Sequence, residues 1–173
     1  MNSMPSATRT GPQTRYLVFS IADSRYAVSV MCVREILRLC PITAVPRMPP
    51  HMRGVINLRG TVVPVIDLRQ KLGIAAADYG ARNCIIVMQL IQESGKRLLL
   101  GAVVDGVDEV SPFAGTDIES TPNFGGIPDT RFIQGIISRS DGIRILLDMT
   151  ALFADEFAMP LPVPESPSSS ASG

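Results

Sequence analysis

The one histidine of the chain, His51, stands in Pro49-Pro50-His51-Met52, and an imidazole is the side chain most often used to move a proton near neutral pH. General-base work needs a second group to orient the ring. None is offered by the neighbouring sequence, where the prolines read as a surface turn. Asp105, Asp108 and Glu109 gather three carboxylates. They lack the ligand order and closing Glu of a calcium loop and read as a solvated turn. Cys32, Cys40 and Cys84 form an odd count without Cys-x-x-Cys spacing, against both a disulfide framework and a zinc site, and read as buried thiols. Gly101, Gly106, Gly125, Gly126 and Gly135 are scattered with no phosphate-loop lysine. No catalytic centre, metal or cofactor is expected.

The elements that carry these residues are read from an internal repeat. Gly54-Val55-Ile56-Asn57-Leu58-Arg59-Gly60 leads through Thr61–Leu68 to Leu72, and Gly135-Ile136-Ile137 leads past Asp141-Gly142 through Ile143–Met149 to Leu152. Each is a strand, a glycine turn, a strand, an Asp and a short helix. The carboxylates of Asp67 and Asp148 are placed to accept the free N–H groups of the helix that follows, as N-caps. Upstream, Ala27-Val28-Ser29-Val30 and Val33-Arg34-Glu35-Ile36 are echoed by Gly101-Ala102-Val103-Val104 and Val107-Asp108-Glu109-Val110. Units of about 16–72 and 84–152 follow, each the size of a small barrel, since closure removes sheet edges. The expectation is a mainly β chain of two packed five-stranded barrels. Short helices are expected over 31–39, after Asp67 and over 149–157. Whether strands cross between barrels is not legible.

Composition narrows the function. Sixteen Lys and Arg balance sixteen Asp and Glu, aromatics are 5% and Trp is absent, so neither a basic track nor stacking platforms for nucleic acid are present. Apolar runs such as Leu98–Leu100 are far shorter than the roughly 18 residues of a membrane-spanning helix. The N-terminus lacks an export signal, and a cytoplasmic address is expected. Residues 1–14 and the Pro- and Ser-rich residues 159–173 read as disordered tails around a body of 15–158.

The run Arg53-Gly54-Val55-Ile56-Asn57-Leu58-Arg59-Gly60-Thr61-Val62-Val63-Pro64-Val65-Ile66-Asp67-Leu68-Arg69 resembles the signature of the CheW family of bacterial chemotaxis coupling proteins. Tyr16-Leu17-Val18-Phe19, Val33-Arg34-Glu35-Ile36, Val104-Asp105-Gly106-Val107 and Leu146-Leu147-Asp148 keep the family's order. The resemblance implies two SH3-like barrels, no catalysis, and a scaffold between chemoreceptors and a CheA-type histidine kinase, recruited to membrane receptor arrays. Its partners would be the kinase's regulatory domain and the receptor's cytoplasmic hairpin tip. It assigns Arg59, Glu35, Val107 and Val110 to receptor binding and Leu17, Val30 and Val33 to kinase binding. Ser29 departs from the family, where an acidic residue is common. Two alternatives stand: the same kind of adaptor in surface motility or gene regulation, and a small-ligand-binding double barrel, which a buried cluster of His, Asp and Glu would favour.

Overall fold

The structure is a computed structural model that describes residues 13–120 and 131–158. The tails expected over 1–14 and 159–173 fall outside the described residues except for Gln13 and Thr14, which pair with Ala114 and Phe113 and so belong to the first strand.

Among the described residues eleven strands form two sheets. In chain order they are β1 (Gln13–Ile21), β2 (Ser24–Ser29), β3 (Val33–Arg38), β4 (Met52–Leu58), β5 (Thr61–Asp67), β6 (Cys84–Ile91), β7 (Arg97–Val104), β8 (Gly106–Ala114), β9 (Ile118–Glu119), β10 (Ile133–Arg139) and β11 (Gly142–Leu147). One sheet runs β8-β1-β2-β11-β10-β9 and the other β3-β6-β7-β5-β4. Strands therefore cross between lobes: the hairpin β1–β2 of the first repeat completes the sheet of the second, and β6–β7 completes that of the first. The repeat units 16–72 and 84–152 are therefore not themselves the lobes, a crossing that the sequence left open. An exchanged hairpin buries both of its faces, and neither unit closes without the other.

The exchange is pseudo-symmetric to the residue. Val33 lies opposite Met88 and Val107 opposite Phe19, each followed by a bulge before Glu35 opposite Val87 and Glu109 opposite Val18. Both sheets close in the same way. The segment after β8 turns and pairs through β9 with β10. The segment after β3 reaches β4 through Thr43, which exchanges hydrogen bonds of 2.9 and 2.8 Å with Val55.

Alternation sorts the side chains into three cores. Leu17, Phe19 and Ile21 of β1 meet Ile86, Met88 and Leu90 of β6 in a shared core between the lobes. Tyr16 and Val18 fill one barrel with Phe113 and Ile137. Ile85 and Val87 fill the other with Ile56 and Val63.

Helix is scarce. The segment expected as a helix over 31–39 is instead one 3-10 turn, Val30–Cys32, followed by β3. The apolar spacing of Val33 and Ile36 suits a helix face locally, but hydrogen bonding to β6 decides for strand. The N-cap expectations hold. Asp67 accepts from the N–H groups of Arg69 and Gln70 at 3.0 and 3.4 Å before α1 (Leu68–Lys71), and Asp148 accepts from that of Ala151 at 3.1 Å before α2 (Met149–Leu152). The helix expected over 149–157 breaks at Phe153 into α2 and α3 (Ala154–Ala158).

Candidate functional site

Arg59 and Gly60 form the two-residue turn between Leu58 and Thr61. Both have positive φ, 50° and 89°, as the mirror-image turns that match strand twist require. The Asn57 side-chain oxygen accepts from the Gly60 N–H at 2.8 Å and fixes the turn. An arginine at positive φ is uncommon; here it projects a side chain that is 72% exposed. Its guanidinium donates to both carboxylate oxygens of Glu35 on β3, one bond being 3.3 Å and the other shorter. These bonds hold the Glu35 carboxyl below its ordinary range. Arg34, Glu35, Leu58, Arg59 and Thr61 border an open cleft at this end of the barrel.

Val107 and Val110 lie on β8 of the other lobe. Val107 is half-buried against the inter-lobe core, while Val110, opposite Leu17, is 46% exposed. Val30 and Val33 are half-buried against that same core. The 3-10 turn that carries Val30 touches both β1 and β6 and leads into β3. Leu17 does not fit the role the resemblance gave it. It is 2% exposed on a central strand with both faces covered, so it is core and cannot touch a partner.

The other candidates find partners that their sequence surroundings do not show. His51 is not unpartnered: its Nε2 lies 2.7 Å from Glu156 on α3, which also accepts from Lys71 Nζ at 3.0 and 3.1 Å. The Glu156 side chain is 1% exposed. This is the kind of buried polar cluster that would favour a ligand site, yet its charges satisfy one another and the carboxylate is closed to solvent. It staples the C-terminal helix to α1. Asp105 is likewise no solvated turn residue, since it accepts from the Ala22 N–H at 2.7 Å and from Arg69 at 2.5 Å. Asp108 lies 3.7 Å from Arg25 and 3.8 Å from Arg82, and Glu109 lies 3.5 Å from Arg144. Among the described residues no group of three or more His, Cys, Asp or Glu could hold a metal ion. The three cysteines are half-buried rather than buried; burial pushes the Cys32 thiol up to about 11. Among the described residues no helix is long and apolar enough to cross a membrane.

The chain's zero net charge conceals an asymmetry between segments. Residues 33–104, which supply β3–β7, carry ten Lys and Arg against four Asp and Glu, a net of +6. Residues 13–32 and 105–158 carry five against eleven, a net of −6. Arg69–Asp105, Lys71–Glu156 and Arg82–Asp108 join the two segments, the cation always coming from 33–104.

Two exposed residues escaped sequence reasoning. Ile36 is 42% exposed, and the repeat that aligns Val33–Ile36 with Val107–Val110 makes it the counterpart of Val110. The same alignment sets exposed Arg34 against Asp108.

A family model described as the CheW-like domain matches residues 15–157. A probable chemotaxis protein CheW of Rhizobium etli is 37% identical over 139 residues, 80% of this chain and 86% of that protein. The chemotaxis protein CheW of Rhizobium meliloti is 32% identical over 81% of this chain and 87% of its own. Among solved structures, the scaffolding protein TtCheW from Thermoanaerobacter tengcongensis matches with a TM-score of 0.71 at 33% identity, covering 83% of this chain and 93% of that one.

Proposed function

Because the chain belongs to the CheW-like family of chemotaxis scaffold proteins, we propose that it is a non-enzymatic adaptor coupling chemoreceptors to a CheA-type histidine kinase. The observation that carries this reading is the Arg59 turn. A cation at positive φ, oriented by Glu35 and largely exposed, is a built recognition element, since a guanidinium offers fixed donors to carboxylate or carbonyl partners. The receptor's cytoplasmic hairpin tip docks there and along the β3 and β8 edges, with Glu35, Val107 and Val110. The kinase's regulatory domain takes the surface around Val30 and Val33. Charges already paired within the fold, and a sole imidazole committed to Glu156, support binding rather than catalysis. The adaptor works in the cytoplasm and is recruited to receptor arrays at the membrane.

The test is calorimetry of the purified protein against the regulatory domain of each CheA-type kinase and against the receptor cytoplasmic fragments of the same organism. Binding to one kinase and one receptor class is expected. Arg59→Ala, which removes an exposed side chain, should leave the melting curve unchanged and weaken only the receptor complex. Equal receptor affinity for a folded Arg59→Ala protein would remove Arg59 from the site.

A further inference from the structure

The two lobes present matching edges of opposite character. On β3 the exposed residues are Arg34, Ile36 and Arg38, and on β8 the corresponding residues are Asp108, Val110 and Pro112. Arg34 and Asp108 occupy the same bulge in the two lobes, between Val33 and Glu35 and between Val107 and Glu109. Each edge thus has a half-exposed apolar residue at its centre, Ile36 at 42% and Val110 at 46%. A bulge bends its strand and re-aims the extra side chain. Arg34 donates to Gln89, a neutral partner. Asp108 is shared by Arg25 and Arg82 only at the outer limit of ion-pair distance.

A scaffold with pseudo-twofold symmetry has an ambiguity. Two equivalent apolar anchors accept an antiparallel pair of helices in either of two directions related by the same axis. Opposite charges at equivalent positions remove that degeneracy, because like charges brought together oppose the wrong orientation. The β3 lobe lies within the +6 segment, although Arg59 there is paired with Glu35.

We propose that Arg34 and Asp108 set the direction in which the receptor hairpin docks. The helix face turned to Arg34 and Arg38 is acidic, the face turned to Asp108 is basic, and Ile36 and Val110 anchor the two helices. This rests on the receptor-docking reading above and adds to it a polarity and a second apolar anchor.

The experiment uses the full chain and a purified receptor cytoplasmic fragment, with affinity measured by calorimetry at about 50 and about 300 mM NaCl. Arg34→Glu is expected to weaken binding about tenfold and to flatten its salt dependence. Arg34→Gln should fall between, and kinase-domain affinity and the melting curve should not move. Ile36→Ser is expected to weaken the receptor complex as Val110→Ser does. If Arg34→Glu binds with wild-type affinity and salt dependence while Arg59→Ala is weakened, the polarity is wrong and the docking reading stands. Should Val110→Ser weaken binding and Ile36→Ser not, the second anchor is wrong. If the wild-type chain binds no receptor fragment, the docking reading falls and the polarity with it.

Discussion

A Cβ placed on Gly54 would lie 2.0 Å from the carbonyl oxygen of Thr43. That approach is the seam of one barrel, where Thr43 and Val55 exchange their hydrogen bonds, and Gly54 reaches it with φ 145°. In the other barrel Gly135 does the same work against β9, where a Cβ would meet Ile118 Cγ2 at 2.5 Å and the Glu119 oxygen at 2.9 Å. Gly54→Ala should therefore cost about 3 kcal/mol or more, or prevent folding, because backbone and not a movable side chain stands in the way. Gly135→Ala should cost less, since the backbone oxygen it meets stands at 2.9 Å rather than 2.0 Å. Urea unfolding of both variants measures this, and near-wild-type stability for Gly54→Ala would mean the barrel closes elsewhere.

The Glu156 staple predicts a stability effect without a binding effect. Removing a carboxylate that is 1% exposed and bonded by Lys71 and His51 leaves a buried ammonium, at a typical cost of about 3–5 kcal/mol. Glu156→Ala should lower the urea midpoint accordingly and leave receptor and kinase affinities of the folded fraction intact. The double variant Glu156→Leu with Lys71→Met should recover much of the loss, and failure to recover would show that α3 depends on the charge itself.

At the kinase candidate surface, burial separates two neighbours. Val30 is half-buried against the inter-lobe core, whereas Met31 is 86% exposed. Val30→Asp should cost about 1–3 kcal/mol by setting a carboxylate against apolar side chains, and Met31→Asp should leave the melting temperature in place. Loss of kinase-domain binding by a stable Met31→Asp protein is the expected result. Unchanged binding would move the kinase contact away from this turn.

Acid sensitivity should concentrate in the β10–β11 turn. Arg144 donates to Asp141 at 2.7 and 3.2 Å, and Arg25 donates to it at 3.2 Å. The Arg144 bonds first, then its charge and the Arg25 bond, hold the Asp141 carboxyl far below its ordinary value of 3.8. A depressed folded-state pKa contributes stability that is complete above the unfolded value and is lost as pH falls through the folded one. Arg144 is buried with its Nε unsatisfied, and its counterpart in the other barrel is Val63. Arg144→Val should thus be neutral or stabilising at neutral pH. It should also lose stability less steeply than the wild type between about pH 5 and about pH 2. Parallel slopes in urea midpoint against pH would count against the pair.

The sequence by itself determined the strands, the turns and their duplication, because each is written in local signals. Alternating apolar residues, Arg59-Gly60, and Asp67 and Asp148 ahead of their helices act within a few residues of chain. It also carried the family signature, and through the repeat it held the equivalence of Ile36 with Val110. Tertiary structure decided what depends on contacts between distant segments. The hairpin exchange follows from burying both faces of β1–β2 and β6–β7, a term that no local pattern contains, and the same exchange turned Leu17 into core. Likewise β3 is a strand only because β6 supplies its hydrogen bonds. His51 and Glu156 meet across 105 residues, and the balanced charge of the whole chain became a contrast between two lobes only when folding gathered the +6 segment 33–104 into one sheet.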